Sequence, residues 1–333
     1  MTSSNAPAGS TAAAPAPAGF DAVLPFAVEP LDVRGRSVQL GPLLDAILDR
    51  HDYPAPVSRL LAEAITLTVL LGSSLKFDGK FIVQTKTDGA VPLIVTEYKT
   101  PGDVRAYASF DTDAVAALEE AGTTAVPDLL GEGILAMTID QGKYTNRYQG
   151  IVKLDGIDLE EVARQYFRQS EQIPTEVRLA VGETLTRSED GSPLHGWTAS
   201  GMLVQFLPES EERARLQDLP GGDGAEEDDF DADEAWTETL ALMSTIEASE
   251  LIDPDVSAER LLFRLFNEHG VRVFAPIELR DACGCSEDKV RGVLAGFTDE
   301  QLADSIEDGA ITVTCEFCST RYEFSPAEIA TLQ

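Results

Sequence analysis

The placement of the cysteines constrains this chain more than any other feature. Only four of the 333 residues are cysteine. They form two pairs near the C-terminal end: Cys283 and Cys285 in 282-ACGCS-286, and Cys315 and Cys318 in 314-TCEFCS-319. Zinc prefers four soft ligands in a tetrahedron, and two cysteine pairs are a common source of them. The sequence therefore predicts one Zn²⁺ per chain held by all four cysteines, with Gly284 leaving room for the metal and permitting a bend.

Around the cysteines the sequence predicts a small separate unit, residues 277–333. Its elements are capped helices and short strands joined by the CxxC turn: a helix over 287–297 after Ser286, a helix opened by a Thr298–Gln301 capping box, strands 310–315 and 320–325, and a last helix from Ser325 and Pro326. A unit this small needs a cross-link to fold alone, and the four cysteines can supply one. The three histidines are scattered and show no ligand spacing.

A four-cysteine zinc site is most often a static clip, so a zinc-ribbon binding or adaptor protein is one interpretation. The close spacing within each cysteine pair favours another interpretation, in which oxidation of the cysteines switches the conformation of the unit. Metal-bound thiolates are the form that oxidants attack, and each pair is near enough to close its own disulfide, which would remove ligands and the folding energy they provide. A thiol oxidoreductase is disfavoured because the CxxC lies between strands. The sequence also lacks the motifs GxxxxGK[ST], HExxH and GxSxG, so we predict that the protein is not an enzyme.

Residues 20–208 predict an N-terminal α/β domain with mixed or antiparallel sheets, within an α+β fold. A mostly apolar helix over 57–75 should lie buried at its centre. Asp88-Gly89 between apolar runs predicts a tight hairpin turn. A helix over 158–169 has an N-cap aspartate and one apolar stripe. The predicted strands are 81–87, 90–98, 104–110, 133–140, 149–154, 176–181 and 200–207.

Residues 209–276 predict a linker in two parts. From Glu209 to Glu234 there are twelve acidic and two basic residues in 26 positions, which indicates an exposed, self-repelling spacer. Two helices follow, over 234–246 and 257–270. The second leaves little polar face, so it either packs on its own protein or forms an adhesive surface that is released on a signal. The candidate surface consists of Trp236, Leu261, Leu262, Phe263, Leu265 and Phe266.

The net charge of −33 disfavours two classes of partner. Nucleic acid and anionic membranes both need a surface of lysine and arginine. Residues 1–19 are rich in Ala, Pro, Ser and Thr without Lys or Arg, which predicts a disordered tail rather than a signal peptide. The apolar stretch 60–71 carries Glu63 and is taken as too short to span a bilayer. We therefore predict a cytoplasmic protein, in which clustered cysteines are metal ligands or redox groups.

Several stretches together form a recognisable pattern. They are CGCS…CEFCSTRYEF, 75-LKFDGKFIVQTKTDG-89, 148-YQGIVKL-154, 166-YFRQSEQIPT-175, 202-MLVQFLP-208 and 261-LLFRLFNEHGVRVFAP-276. The signature YF-x-QSEQ-x-PT is specific, and it occurs here with both cysteine pairs. Over residues 20–333 the chain resembles the redox-regulated holdase chaperones known as the 33 kDa heat-shock protein family.

The resemblance implies an ATP-independent chaperone that is nearly inactive while reduced and zinc-bound. Oxidation would form Cys283–Cys285 and Cys315–Cys318 disulfides, release zinc, unfold the C-terminal unit and loosen the linker over roughly 231–276. The exposed surface would then bind unfolding client proteins, with a homodimer when oxidised and a monomer when reduced. The Ala/Pro-rich tail and the acidic segment depart from the family pattern.

Overall fold

The computed structural model describes residues 20–142, 147–187, 193–207, 234–307 and 309–330. The predicted tail and almost all of the predicted acidic spacer lie outside these residues. The described chain contains two six-stranded sheets, one three-stranded sheet and eleven α-helices. The predicted α+β class, with antiparallel and mixed sheets and a buried helix, is confirmed.

The first sheet combines the two ends of the core region with a later part of the chain. In spatial order its strands are β10 (Arg272–Val273), β1 (Ala22–Val28), β2 (Val33–Leu40), β9 (Pro193–Phe206) and β8 (Thr175–Arg187), with β11 (Ile277–Glu278) also paired to β1. All of these pairs are antiparallel. β8 and β9 are longer than predicted, because their pairing continues outward from Gln205 to Pro193. β1 and β2 were not predicted.

The second sheet is antiparallel except at one edge. Its strands are, in spatial order, β12 (Arg280–Asp281), β5 (Asp103–Ser109), β4 (Leu93–Lys99), β3 (Lys80–Thr87), β6 (Gly133–Asp140) and β7 (Tyr148–Leu154). β12 is parallel to β5. Apart from the unpredicted β12, each of these strands overlaps a predicted one.

The predicted tight turn at Asp88-Gly89 is wrong. β4 begins at Leu93, so a five-residue loop joins it to β3. The Gly89 amide donates to the Leu130 carbonyl at 3.0 Å, and a Cβ at Gly89 would lie 2.4 Å from the Leu130 carbonyl carbon. The glycine is needed for this close approach to a neighbouring loop rather than for a hairpin turn.

The helices of the core lie mainly between the two large sheets. They are α1 (Pro42–Leu48), α2 (Ala55–Ser74), α3 (Thr112–Ala121), α4 (Val126–Leu130) and α5 (Leu159–Tyr166), the last continuing as a π-helical turn over Phe167–Glu171. Apolar residues of α2 share one buried cluster with both sheets. α2 is the predicted central helix, and α5 begins at the predicted N-cap, Asp158. α1, α3 and α4 were not predicted.

The length argument against a membrane span needs correction. At 20 residues α2 is long and apolar enough to cross a membrane by length and composition, and in the described residues it is the one such helix. However, 83% of its apolar window is buried inside the protein. Burial between two sheets, not shortness, explains why this helix is apolar on most faces.

A second apolar cluster covers the other face of the first sheet. It is formed by α6 (Glu234–Ser244), α7 (Ala248–Leu251) and α8 (Ala258–Phe266). The ring centroids of Phe266 and Phe26 lie 6.0 Å apart. Ser257 caps α8 as predicted, but the helix ends at Phe266, and the Gly270 amide then donates to the Phe266 carbonyl at 2.9 Å.

The third cluster belongs to the small unit that carries the cysteines. Its helices and strands are α9 (Glu287–Leu294), α10 (Asp299–Asp304), β13 (Ile306–Glu307), β14 (Ala310–Thr314), β15 (Arg321–Phe324) and α11 (Pro326–Ala330). Five buried apolar residues form its core: Leu294, Leu302, Ile311, Phe324 and Ile329. The predicted Ser286 cap and Thr298–Gln301 capping box are confirmed. So small a core needs help from elsewhere to be stable.

Candidate metal centre

The structure brings the four cysteines into one group. Their sulphurs all lie within 4.8 Å of one another. The Sγ atoms of Cys283 and Cys315 are 3.7 Å apart, and those of Cys285 and Cys318 are 3.3 Å apart. Within the described part of the chain, no other three or more His, Cys, Asp or Glu ligand atoms gather this closely. The three histidines take no part in this group.

Two short loops position the sulphurs. The CxC pair follows β12 and precedes the Ser286 cap of α9. The CxxC pair forms the turn between β14 and β15, where the Cys315 amide donates to the Thr320 carbonyl at 2.9 Å. Ser319 completes that turn in the left-handed region, at φ 55°. Strand pairing therefore fixes one pair, while the helix cap fixes the other.

The predicted need for glycine at position 284 is not supported. A Cβ at Gly284 would meet only the Nζ of Lys289, at 3.6 Å, which is ordinary contact. Its φ also lies outside the left-handed region.

The pKa values of Cys285, Cys315 and Cys318 are shifted in different directions. Burial raises the pKa of Cys315 to about 12, and burial raises the pKa of Cys285 as well. Burial also tends to raise the pKa of Cys318. Hydrogen bonds from the side chain and backbone of Thr320 have the larger effect, and the pKa of Cys318 is lowered to about 6. A cation at the centre of the group would favour the thiolate form of the cysteines.

The donor set fits zinc. Four thiolates are the soft ligands that Zn²⁺ prefers. Tetrahedral Zn–S bonds of about 2.3 Å place sulphurs roughly 3.8 Å apart, and the observed separations of 3.3 and 3.7 Å are close to that spacing. The group needs little rearrangement to hold the ion.

Two arginines of the core reach the cysteine unit. The Arg105 guanidinium lies 3.9 Å from the Cys283 Sγ, donates to Glu97 at 2.7 Å, and stacks 4.2 Å from the Phe317 ring centroid. Arg50 pairs with Asp281 and donates to the Phe317 carbonyl at 3.3 Å. Sequence reasoning missed both arginines, because their partners lie far away along the chain. The aromatic residue inside the CxxC turn was the one available signal for a docked turn.

The residues of the predicted adhesive surface do not form one exposed patch in this structure. Four are buried against the first sheet: Leu261, Leu262, Leu265 and Phe266. Trp236 is partly buried, with its ring centroid 5.8 Å from that of Phe206. Phe263 is 66% exposed and points away from the sheet. In this state the helix packs on its own protein.

Comparisons with known proteins cover nearly the whole chain. The family model described as "Hsp33 protein" matches residues 21–325. The chain is 44% identical to a "33 kDa chaperonin" of Caulobacter vibrioides over 308 residues, covering 92% of this chain and 95% of that protein. It is 34% identical to a "33 kDa chaperonin" of Pseudomonas aeruginosa over 309 residues, covering 92% of each.

A solved structure is also similar in fold. The crystal structure of the 33 kDa chaperonin (heat shock protein 33 homologue) from Thermotoga maritima superposes with a TM-score of 0.69. It covers 94% of this chain and 98% of its own, at 20% identity. Together with the family match and the four-cysteine group, these similarities establish that the chain belongs to the Hsp33 family of chaperones.

Proposed function

We propose that the protein is a redox-regulated, ATP-independent holdase chaperone. One observation carries the proposal: the four cysteines come together in a unit that docks on the core, and the chain leading to that unit covers one face of a large sheet with apolar helices. Its partners would be unfolding proteins. A cytoplasmic location, and the absence of enzymatic activity and of nucleic-acid or membrane binding, form part of the proposal.

In the reduced state, Cys283, Cys285, Cys315 and Cys318 would hold one Zn²⁺. The ion, when bound, supplies positive charge that keeps the four thiolates together and cross-links the two loops. We divide the chain into a core, 20–208, a linker, 209–276, and a redox unit, 277–333. Arg105 and Arg50 hold the redox unit against the core.

Oxidation would join Cys283 to Cys285 and Cys315 to Cys318. Each pair of thiolates loses two electrons as its disulfide forms. Hydrogen peroxide accepts these electrons together with two protons from the solvent, its O–O bond breaks, and it becomes two molecules of water. Two close sulphur contacts in the reduced structure, Cys283 with Cys315 and Cys285 with Cys318, join the two loops. Within a loop the partners stay near each other after the loops separate, because closing a short loop costs little entropy. Opening of the unit therefore favours the local pairs.

Disulfide formation removes all four ligands. Five buried apolar residues are then the main remaining support of the redox unit, so the unit unfolds. The helices α6 to α8 lose their C-terminal anchor, and their release uncovers the apolar face that includes Phe26, Val204 and Phe206. Such a face binds unfolding proteins, and a second copy can cover part of it, which accounts for a dimer of the oxidised form and a monomer of the reduced form.

An aggregation assay tests the function. Protein treated with peroxide at raised temperature should suppress light scattering by a thermally unfolding client, while reduced, zinc-loaded protein should not. Zinc counting, disulfide mapping by mass spectrometry and molar mass by light scattering should report one ion and a monomer before oxidation, and two local disulfides and a dimer afterwards. Zinc that stays bound despite oxidant, with equal suppression by both forms, would instead support a static zinc-ribbon adaptor.

A further inference from the structure

Residues 271–282 form an extended segment, which we call the strap, between the last linker helix and the cysteines. The strap contains β10, β11 and β12. Its first two strands pair with β1 at the edge of the first sheet, and the third pairs with β5 at the edge of the second sheet. One short segment therefore covers edges of both large sheets.

Backbone hydrogen bonds hold the strap in place. The amides of Phe274 and Leu279 donate to carbonyls of β1 and the residue before it, those of Pro25 and Asp21, at 2.9 and 2.8 Å. At the edge of the second sheet, the amides of Arg280 and Ala282 donate to the carbonyls of Gly102 and Val104, at 3.0 and 2.9 Å. These contacts involve main-chain atoms, so they do not depend on which side chains the strap carries.

Side-chain packing of the strap is uneven. Leu279 is buried in the large apolar cluster, and Ile277 packs against the same cluster. Val273 and Phe274 are 45% and 44% exposed. A cleft of about 490 Å³ lies beside the strap, and both β1 and the strap line it. The ion pair of Arg280 with Asp103 lies on the surface, where such pairs contribute little. The strap thus occupies the edges without filling the space next to them.

The strap is flanked by the two segments that the proposed switch releases, which are α8 and the redox unit. It begins four residues after Asn267, the C-cap of α8, and Ala282 immediately precedes Cys283. Unfolding of the redox unit and loosening of α8 would remove both anchors together. What then remains is the short strand pairs, the four main-chain hydrogen bonds, the buried Leu279 side chain and the Arg50–Asp281 ion pair. An extended client strand can make the same main-chain hydrogen bonds in place of the strap.

We propose that the edges of β1 and β5, once the strap leaves them, bind an extended segment of an unfolding protein as an added strand. The inference rests on the holdase function and specifies how clients are bound. An uncovered sheet edge is a template for any extended chain, because its free main-chain groups pair with those of another backbone. The strap shows that these edges accept such a chain in both large sheets.

Strand addition suits a protein that must bind many sequences. Main-chain pairing is the same for any client, so the edges do not select a client by its side chains. Pro25 fits this assignment, since its carbonyl points outward to the strap and its missing amide lies on the same side, where proline is tolerated in an edge strand. Covering the edges in the reduced state also prevents edge-to-edge aggregation of the chaperone itself.

A labelled peptide with the sequence of residues 271–282 tests the proposal directly. We expect the full-length oxidised protein to bind it at least tenfold more tightly than the reduced protein does, measured by fluorescence anisotropy. A matched peptide with N-methyl groups at the positions of Phe274, Leu279, Arg280 and Ala282 keeps the side chains but loses the four donors. It should bind at least tenfold more weakly. Equal binding of the two peptides would overturn strand addition in favour of apolar contact.

Gly102 offers a test in the reduced protein. A Cβ there would lie 2.0 Å from the Glu278 carbonyl oxygen, and the other atoms that it approaches also belong to the strap. Gly102→Ala should therefore displace the strap without disturbing the core, and the reduced variant should bind the peptide at least fivefold more tightly than reduced wild type. Gly292→Ala is the matched control, because nothing lies within 4 Å of a Cβ at that position. If the reduced Gly102→Ala protein binds the peptide no more tightly than reduced wild type does, the strap is not the segment that occupies the site.

Strand addition at the sheet edges and the holdase function can be refuted separately. Oxidised protein that suppresses client aggregation but does not bind the strap peptide would refute strand addition and leave the holdase function standing. Oxidised protein that binds the peptide but suppresses no aggregation would leave the edge site standing and refute the holdase.

Discussion

At the scale of single residues, Arg105 is the main link between the core and the cysteine group. It contacts a buried carboxylate, a cysteine sulphur and an aromatic ring of the CxxC turn. A guanidinium can make these three contacts together because it is planar, permanently charged and able to stack. Its positive charge attracts the sulphurs while they are thiolates. Oxidation to neutral disulfides would abolish this attraction.

Replacing Arg105 by glutamine should loosen the redox unit. The loss of a charged hydrogen bond and of the stacking contact costs about 1–3 kcal/mol, so peroxide should release zinc about five to a hundred times faster, as followed with a chromogenic chelator. Arg147→Gln is the control, because Arg147 pairs with Asp140 on the same sheet but is 73% exposed. If both variants release zinc at the wild-type rate, Arg105 does not couple the core to the centre.

Glu63 gives the core a predictable dependence on pH. Burial, with Glu160 and Asp158 nearby, raises the pKa of this carboxyl from 4.5 to about 7, although Arg59 opposes the shift. The unfolded chain releases the proton more readily than the folded one, so ionisation destabilises the fold. The penalty is absent below pH 4.5, grows as the pH rises and is complete above pH 7.

We therefore expect Glu63→Gln to stabilise the reduced protein above neutral pH. The gain in the free energy of unfolding should be on the order of 3 kcal/mol at pH 8 and should vanish near pH 4. Urea denaturation followed by tryptophan fluorescence at both pH values measures it. A gain of the same size at both pH values would point to packing rather than to ionisation.

Residue-level signals predicted local features well, but the meeting of the two cysteine pairs was the one long-range contact that they predicted. The caps at Ser257, Ser286 and Thr298 depend on residues three positions away, and all were predicted and observed. The contact between Arg105 and Cys283 joins residues 178 positions apart. No periodicity or spacing encodes such a contact, since it arises only when the strap places the redox unit on the second sheet.

At the scale of elements, α8 shows how neighbouring phenylalanines can differ in role. Phe266 is fully buried against the first sheet, while Phe263 is 66% exposed. The sequence showed that this helix leaves little polar face but not which residues turn inward. The orientation is decided by the sheet beneath, through partners such as Phe26.

Phe266→Ala should release the linker helices without any oxidant. Removing a buried phenylalanine costs about 3–5 kcal/mol, and the loss falls on the cluster that docks the linker helices on the first sheet. We expect faster proteolysis between residues 234 and 270 in the reduced variant, and partial suppression of client aggregation. Phe263→Ala is the matched control and should behave as wild type. Equal proteolysis of the two variants would show that the linker is not held by this face of α8.

Element boundaries were predictable where the pattern was local. The strands of the second sheet alternate or run apolar between turns, and they appear close to the predicted positions. β1 contains a proline and β2 contains two arginines and a glycine, so neither resembles an ordinary strand in sequence. Both are strands because they form a long antiparallel pair with each other, and β2 forms a second long antiparallel pair with β9.

At the scale of the whole molecule, the layers explain how a small unit can affect a large one. The linker helices lie on the first sheet, α2 lies between the two sheets, and the redox unit docks beside β5 of the second sheet. The strap connects these layers, since it pairs with both sheets and leads into the cysteines. Its path could not be predicted from sequence, because each of its strands is two residues long.

Removal of the metal should separate the stability of the redox unit from that of the core. Under reducing conditions, a strong zinc chelator should abolish hydrogen-exchange protection in 283–330, because the five buried residues there cannot offset the conformational entropy of the unit. Protection in α2 and in the central strands β3, β4 and β9 should remain, since these lie in the large cluster. Chelator already saturated with zinc is the control, and added zinc should restore protection. A third sheet that stays protected after the metal is removed would mean that the unit folds without its cysteine cross-link, and the proposed switch would lose its physical basis.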